Sequence, residues 1–183
     1  MYQQRKKKSK MNTINASVLM PSYNYAHFLR ESIDSILNQS FEDFEFIIVN
    51  DGSEDGSEKI LAEYANVDKR IKIINNNSNM GIVFSLNRGI SECRGKYIIR
   101  MDADDIALTD RLKKQISVME TNPDIVVLGA ALSYIDAIGK ELGIIRYSET
   151  GESLLLKNPM LHPTVVIRQS ALMENHFSYQ ENY

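Results

Sequence analysis

Short runs rich in β-branched and aromatic residues alternate with amphipathic stretches over almost the whole chain. Residues 16–20, 44–50, 70–74, 97–101, 125–129 and 164–168 read as strands. Phe46-Ile47-Ile48-Val49 and Ile125-Val126-Val127-Leu128 are continuously apolar, the pattern of strands covered by helices on both faces. Between strands, Phe28, Leu29, Ser32, Ile33, Ile36 and Leu37 recur at helical spacing. So do Ile60, Leu61, Tyr64 and Ala65, then Ile82, Leu86 and Ile90, then Leu112, Ile116 and Met119. Helices following strands in this way predict repeated βαβ crossovers and a mainly parallel sheet. Asp55 or Ser57 is placed to cap the second helix and Thr109 with Asp110 to open the fourth. Asn122-Pro123 ends that helix, because a residue before proline is pushed out of the α region. Residues 75–79 form a polar turn, either a surface loop or a ligand contact, and residues 139–151 read as an irregular excursion or hairpin.

With 183 residues, 43% hydrophobic and 25% charged, the composition is that of a globular domain and excludes fibrous and disordered classes. The formal charge of −3 is unevenly spread: Arg5, Lys6, Lys7, Lys8 and Lys10 crowd the amino end, which leaves the body acidic. Residues 1–14 are read as a basic, solvated tail and residues 15–183 as one folded domain. A nucleic-acid partner is not expected. No run reaches the roughly 20 apolar residues of a membrane span, and none resembles a signal peptide, so membrane contact is expected to be at most peripheral, on the inner face. Cys93 has no partner for an intrachain disulfide, and His27, His162 and His176 lack metal-site spacing. Both facts fit a reducing, cytoplasmic setting and assign Cys93 to packing.

In open α/β sheets ligands bind beyond the carboxyl ends of the strands, and those positions are polar here. The first strand runs into Pro21-Ser22-Tyr23-Asn24, the second into Asp51-Gly52-Ser53, and the fourth into Asp102-Ala103-Asp104-Asp105. So many carboxylates at one strand end repel one another, and Mg²⁺ or Mn²⁺ completed by substrate phosphates would neutralise them. The same cluster could instead open a helix or pair with Arg100 or Arg111. Asp51 can accept from a base or ribose, or simply form an Asp-Gly turn, and Tyr23 can stack on a nucleobase or belong to the core. Taken together the loops describe a nucleotide diphosphate site. The glycine pattern of a dinucleotide site, the P-loop and the G-x-S-x-G elbow are all missing.

The ordered set Ala16 to Asn24, Ser35-Ile36-Leu37-Asn38-Gln39-Ser40-Phe41, Val49-Asn50-Asp51-Gly52-Ser53 and Asp102-Ala103-Asp104-Asp105 resembles family 2 glycosyltransferases of the GT-A fold. Asn79-Met80-Gly81, Asn87-Arg88-Gly89 and His162-Pro163-Thr164 are similar to later elements of that family. The resemblance implies a three-layer α/β sandwich around a mainly parallel sheet. It also implies inverting transfer of a sugar from a nucleotide diphosphate sugar, UDP-sugar favoured, to a hydroxyl of a saccharide or lipid-linked acceptor, in polysaccharide or glycolipid synthesis. By position it assigns Pro21, Ser22, Tyr23, Asn24, Asp51, Gly52, Ser53, Asn87, Asp102, Ala103 and His162 to substrate binding. Asp104, with Asp102, is assigned to a divalent metal, Mn²⁺ or Mg²⁺. The family's base lies in a Glu-Asp pair before Tyr; the matching residues are Gln180-Glu181-Asn182-Tyr183, so Asn182 holds the base position and Glu181 is the remaining candidate. The resemblance also implies that relatives continue beyond residue 183. A catalytically incomplete sugar-nucleotide-binding module and a nucleotidyltransferase remain the alternatives.

Overall fold

The computed structural model describes residues 14–146 and 160–180. Eight strands are found there: β1 (Ala16–Ser22), β2 (Phe44–Asn50), β3 (Ile71–Asn75), β4 (Tyr97–Arg100), β5 (Val127–Leu128), β6 (Leu132–Ile135), β7 (Glu141–Ile145) and β8 (Val166–Arg168). Helices α1 (Ala26–Leu37), α2 (Ser57–Val67), α3 (Ile82–Glu92), α4 (Arg111–Thr121) and α5 (Gln169–Glu174) accompany them. The main sheet has the order β3-β2-β1-β4-β8-β5, and β6 pairs with β7 in a separate hairpin.

Burial follows position in the sheet. Every residue of the central strands β1 and β2 is buried, whereas β3, at the edge, buries Ile71 and Ile74, half-buries Ile73 and exposes Lys72 and Asn75. On one face Leu29, Ile33 and Ile36 of α1, Leu61 of α2, and Leu112, Ile116 and Met119 of α4 pack on Val18, Met20, Phe46, Ile48 and Ile99. On the other, Leu86 and Cys93 pack on Leu19, Ile47, Val49 and Ile98, with Leu172 and Tyr179 at the margin. The expected three layers are therefore present. Cys93 is buried, and burial pushes its thiol up to about 12, in line with the packing assignment.

Three expectations are corrected in detail. The fifth strand is only Val127–Leu128, and β8 runs antiparallel between β4 and β5, pairing Ile99 and Leu128 with Val166. The last strand begins at Val166 because His162–Thr164 forms a single 3₁₀ turn. Pro163 has no N–H for a ladder, and the Thr164 hydroxyl is taken up by Ala130 and Leu161. Thr109 and Asp110 make no side-chain cap on α4; the Asp110 carboxylate instead accepts from the Ser40 hydroxyl at 2.8 Å. The excursion is a hairpin as far as Arg146; its remainder, the tail up to Thr13, and Glu181 and Asn182 lie outside the described residues.

Candidate functional site

Parallel register brings the carboxyl ends of β1, β2, β3 and β4 to one edge of the sheet. With β2 on one side of β1 and β4 on the other, the strand order reverses there, which opens a crevice between the segments after Ser22 and Arg100.

On the β2 side the polar residues are spent on one another. Asn24, at φ 58°, donates its N–H to Ser53 Oγ at 3.0 Å and accepts from the Glu54 N–H at 2.9 Å. The N-cap of α2 is Gly56, with no side-chain cap, so neither Asp55 nor Ser57 caps the helix as expected; Asp55 lies one residue earlier and accepts from the Ala26 and Ser57 N–H groups. Asp51 is buried, and its carboxylate accepts from Asn76 Nδ2 at 2.5 Å and from the Met80 and Gly81 N–H groups at 2.9 Å each. These bonds use three of the about four acceptor sites of a carboxylate. Gly52 is needed twice over: its φ is +70°, and a Cβ would lie 2.5 Å from the Ser78 carbonyl carbon. Asn76, in the polar turn, is buried rather than a surface residue, and also donates to Ser85 Oγ at 3.0 Å.

The β1 and β4 ends differ. Ser22 is 2% exposed and the Arg100 side chain 5%, yet Ser22 Oγ and Arg100 Nε have no hydrogen-bond partner among the described residues. The third such atom, Asn15 Oδ1, sits just ahead of β1. Arg100 pairs with the Asp102 carboxylate, so for this residue the alternative of arginine pairing holds. Asp104 is exposed and makes no hydrogen bond or ion pair among the described residues. Asp105 is half-buried; burial, with Asp102 and Asp104 adding to it, pushes its carboxyl up to about 6. Tyr25, at the start of α1, faces the same charges: Asp104 foremost, then burial and the other two aspartates, raise its phenol. Burial pushes the Arg111 guanidinium down to about 10 while it donates to the Arg100 and Pro163 carbonyls.

Helix α1 and the residues just after it support this loop. Ser32 Oγ donates to the Asp102 carbonyl, Ser35 Oγ accepts from the Ala107 N–H, and buried Gln39 bonds both the Leu108 carbonyl and the Leu112 N–H. Ala103 is core, Pro21 is buried within β1, and Tyr23 is 39% exposed beside the crevice. Asn87 and His162 both meet Tyr179 instead of open space. A cavity of about 520 Å³ shares Asp104 and Asp105 with the acidic loop and continues past Leu108, Ala130, Leu132 and Thr164; none of Ser22, Tyr23 or Asp51 lines it. Among the described residues no group of three or more His, Cys, Asp or Glu could hold a metal ion by itself, and no helix is long and apolar enough to cross a membrane.

Tyr25 and Tyr179 were not singled out from sequence, because no pattern along the chain marks a role that arises between distant segments. Arg100 entered only as a pairing alternative for the acidic cluster, Asn76 only as part of the polar turn and Gln39 only within a quoted motif.

The chain matches curated glycosyltransferases. One from Haemophilus influenzae is 36% identical over 91% of this chain and 55% of its own length. The O-antigen biosynthesis glycosyltransferase WbnJ of Escherichia coli is 34% identical over 86% and 63%. The chain thus spans little more than half the length of its curated relatives. Among solved structures, S. aureus TarS in complex with UDP aligns at a TM-score of 0.73 with 24% identity, over 91% of this chain and 50% of that one. The mannosyltransferase PcManGT from Pyrobaculum calidifontis, in complex with GDP-Man and Mn²⁺, aligns at 0.71 with 15% identity, over 92% and 48%. These likenesses identify the architecture as the GT-A fold. The family model described as "Glycosyl transferase family 2" matches residues 17–176, nearly all of the described chain, and the protein belongs to that family.

Proposed function

We propose that this chain carries the donor half of an inverting, metal-dependent glycosyltransferase that moves a sugar from a nucleotide diphosphate sugar, UDP-sugar favoured, to an acceptor hydroxyl. One observation carries the reading: Asp104, exposed and unpaired among the described residues, stands beside a crevice where Ser22 Oγ and Arg100 Nε are buried without partners among those residues. Buried polar atoms are rarely left unpaired, and these two offer a hydroxyl and an N–H to diphosphate or ribose oxygens. Asp51 keeps one acceptor site for a base or ribose, and the face of Tyr23 can stack on the base. UDP and GDP-Man in the two structural neighbours, and O-antigen synthesis by WbnJ, support a nucleotide sugar as donor and a surface polysaccharide or lipid-linked saccharide as acceptor.

The donor set fits a divalent cation. A hard ion that keeps waters and phosphate oxygens needs one or two carboxylates and no closed cage; Asp104 would hold it, with Asp102 beside it. When bound, the ion supplies positive charge that stabilises the departing diphosphate. The chain's own residues orient the donor so that the acceptor oxygen forms its bond to the anomeric carbon on the face opposite the leaving group. That oxygen's proton passes to a carboxylate, for which Glu181 is the candidate. The cavity past Asp104 and Asp105 gives the acceptor room to approach.

Titrating UDP with and without Mn²⁺ tests the reading. Affinity should rise with the metal and fall at least about tenfold in Asp104→Ala; affinity indifferent to both rejects it. Asn182 at the family's base position favours a second reading, a binding module without turnover. That reading gains if UDP binds but neither the chain nor Asn182→Asp consumes any UDP- or GDP-sugar.

A further inference from the structure

We propose that Arg100 is a positioning residue that serves as the acidic loop's own counter-charge: it ties up Asp102, withholds it from a lone divalent cation, and so leaves that cation to Asp104. The inference rests on the donor-site reading above, in which Asp104 holds the cation with Asp102 beside it, and adds a residue of opposite charge that competes for Asp102.

Arg100 is the last residue of β4, and alternation along the strand puts it on the same sheet face as Ile98, the face of the second core cluster. Its backbone is fixed on both sides. The N–H donates to the Val165 carbonyl at 2.9 Å, and the carbonyl accepts from Arg111 Nη2 at 2.7 Å. The Arg100 side chain is 5% exposed and that of Asp102 34%, and Arg100 Nη1 donates to the Asp102 carboxylate. Asp102 is fixed as well, because its carbonyl accepts from Ser32 Oγ at 3.2 Å. An exposed ion pair loses most of its worth in ordering two free side chains; this one joins two backbones that the fold already holds.

A guanidinium taken out of water is costly unless it is paired. Arg100 can therefore surrender Asp102 only if other negative oxygens take its place. Its Nε, buried and without a hydrogen-bond partner among the described residues, is the group such oxygens would meet. A lone cation brings none, whereas a diphosphate does. Arg111, the neighbouring buried arginine, donates to the Gln115 side chain, the Met101 sulfur and the Arg100 and Pro163 carbonyls, and to no carboxylate among the described residues. Among those residues Arg100 is thus the arginine that pairs with the acidic loop, and its removal would release a carboxylate and a negative charge beside Asp104.

Mn²⁺ titration without nucleotide, on the unsubstituted chain, Arg100→Met and the double variant Arg100→Met/Asp102→Asn, tests the counter-charge. Arg100→Met should bind the lone ion about fivefold or more tightly, because a unit charge lost from beside a carboxylate ligand is felt even at a water-like dielectric. The double variant should return to within about twofold of the unsubstituted chain, since it removes both members of the pair. It also guards against Arg100→Met failing to fold, because replacing both charges of a buried pair is tolerated where removing one is not. A double variant that binds Mn²⁺ about fivefold or more weakly than the unsubstituted chain shows that Asp102 already holds the lone ion, and overturns the proposal. So does an unchanged or weaker Mn²⁺ affinity in Arg100→Met, the outcome expected of a merely structural arginine. UDP titration at saturating Mn²⁺ separates this inference from the donor-site reading. UDP should bind Arg100→Met about fivefold or more weakly, the reverse of the change for Mn²⁺ alone. Equal UDP affinity keeps the counter-charge and removes the Arg100 contact from the donor-site reading. If the unsubstituted chain binds no UDP, the donor-site reading falls, while the Mn²⁺ titrations still decide the role of Arg100.

Discussion

The two edges of the parallel strands treat carboxylates in opposite ways. At the amino edge Glu45 is buried, its side chain 6% exposed. It accepts from Ser17 Oγ at 2.7 Å, from the Arg94 N–H at 2.6 Å, and from the Arg94 guanidinium at 2.6 and 2.9 Å. At the carboxyl edge beyond β4, three aspartates in four residues share one arginine pair among the described residues, that of Asp102 with Arg100, and Asp104 has no partner among them. A saturated carboxylate is architecture; one left exposed among like charges costs the fold free energy that a cation at the proposed site would offset. Asp51 complicates the division, because it lies at the carboxyl edge yet is built like Glu45.

Removing Asp51 should therefore produce the largest loss. Asp51→Ala leaves Asn76 Nδ2 and the Met80 and Gly81 N–H groups facing an empty site, at a cost of about 3 kcal/mol. The urea midpoint should fall with an unchanged slope. A loss below about 0.5 kcal/mol, the scatter of surface substitutions, would place Asp51 with the acidic loop instead. Glu45→Gln should cost less, about 1.5 kcal/mol at neutral pH, the low end of the range for hydrogen bonds to a charged group, because Gln still accepts from the same donors. Its pH dependence has a definite sign. Burial alone would raise the Glu45 carboxyl, but the bonds from Arg94 and Ser17 prevail and hold it below its ordinary value of 4.5. The unfolded chain then binds the proton more readily than the native one. The stability from this group is present above pH 4.5 and is lost as the pH falls through the lower native value. Glu45→Gln should flatten that part of the acid limb, and equal slopes in the two proteins would refute the assignment.

The same contrast explains what was legible in the sequence. Continuous apolar runs identified β2, helical spacing identified α1 to α4, and the rule that ligands gather at carboxyl strand ends picked out Ser22, Asp51 and the acidic loop. None of these needs knowledge of a distant partner. The insertion of β8 between β4 and β5 was not legible, because short strands carry no mark of their neighbour in the sheet. Nor was the division of labour among polar residues. Ser53, Asn24 and Asn87 share the residue types of ligand contacts, but whether an amide or hydroxyl faces a ligand or another loop depends on contacts made across 29 to 92 positions. Gln39 lay inside a quoted motif, and only the structure makes it the buried support of the loop after Asp105.

The smallest effect on stability is the sharpest test of the comparison. Asp104→Asn keeps the shape of the side chain and removes one negative charge from beside Asp102 and Asp105, without breaking any bond that Asp104 makes in the described structure. Exposed substitutions of this kind change stability by no more than about 0.5 kcal/mol, and relief of like-charge repulsion should make this change a gain. The gain should shrink in high salt, because exposed charges are screened over about 8 Å at physiological ionic strength and about 3 Å at 1 M. Thermal unfolding at low and high salt measures both. A loss of more than about 1 kcal/mol would show that Asp104 holds a bond the fold needs, and the acidic loop would then be architecture like Glu45. A small gain at low salt, in the variant that also loses its metal-dependent hold on UDP, separates the carboxylate kept for a ligand from the one kept for the fold.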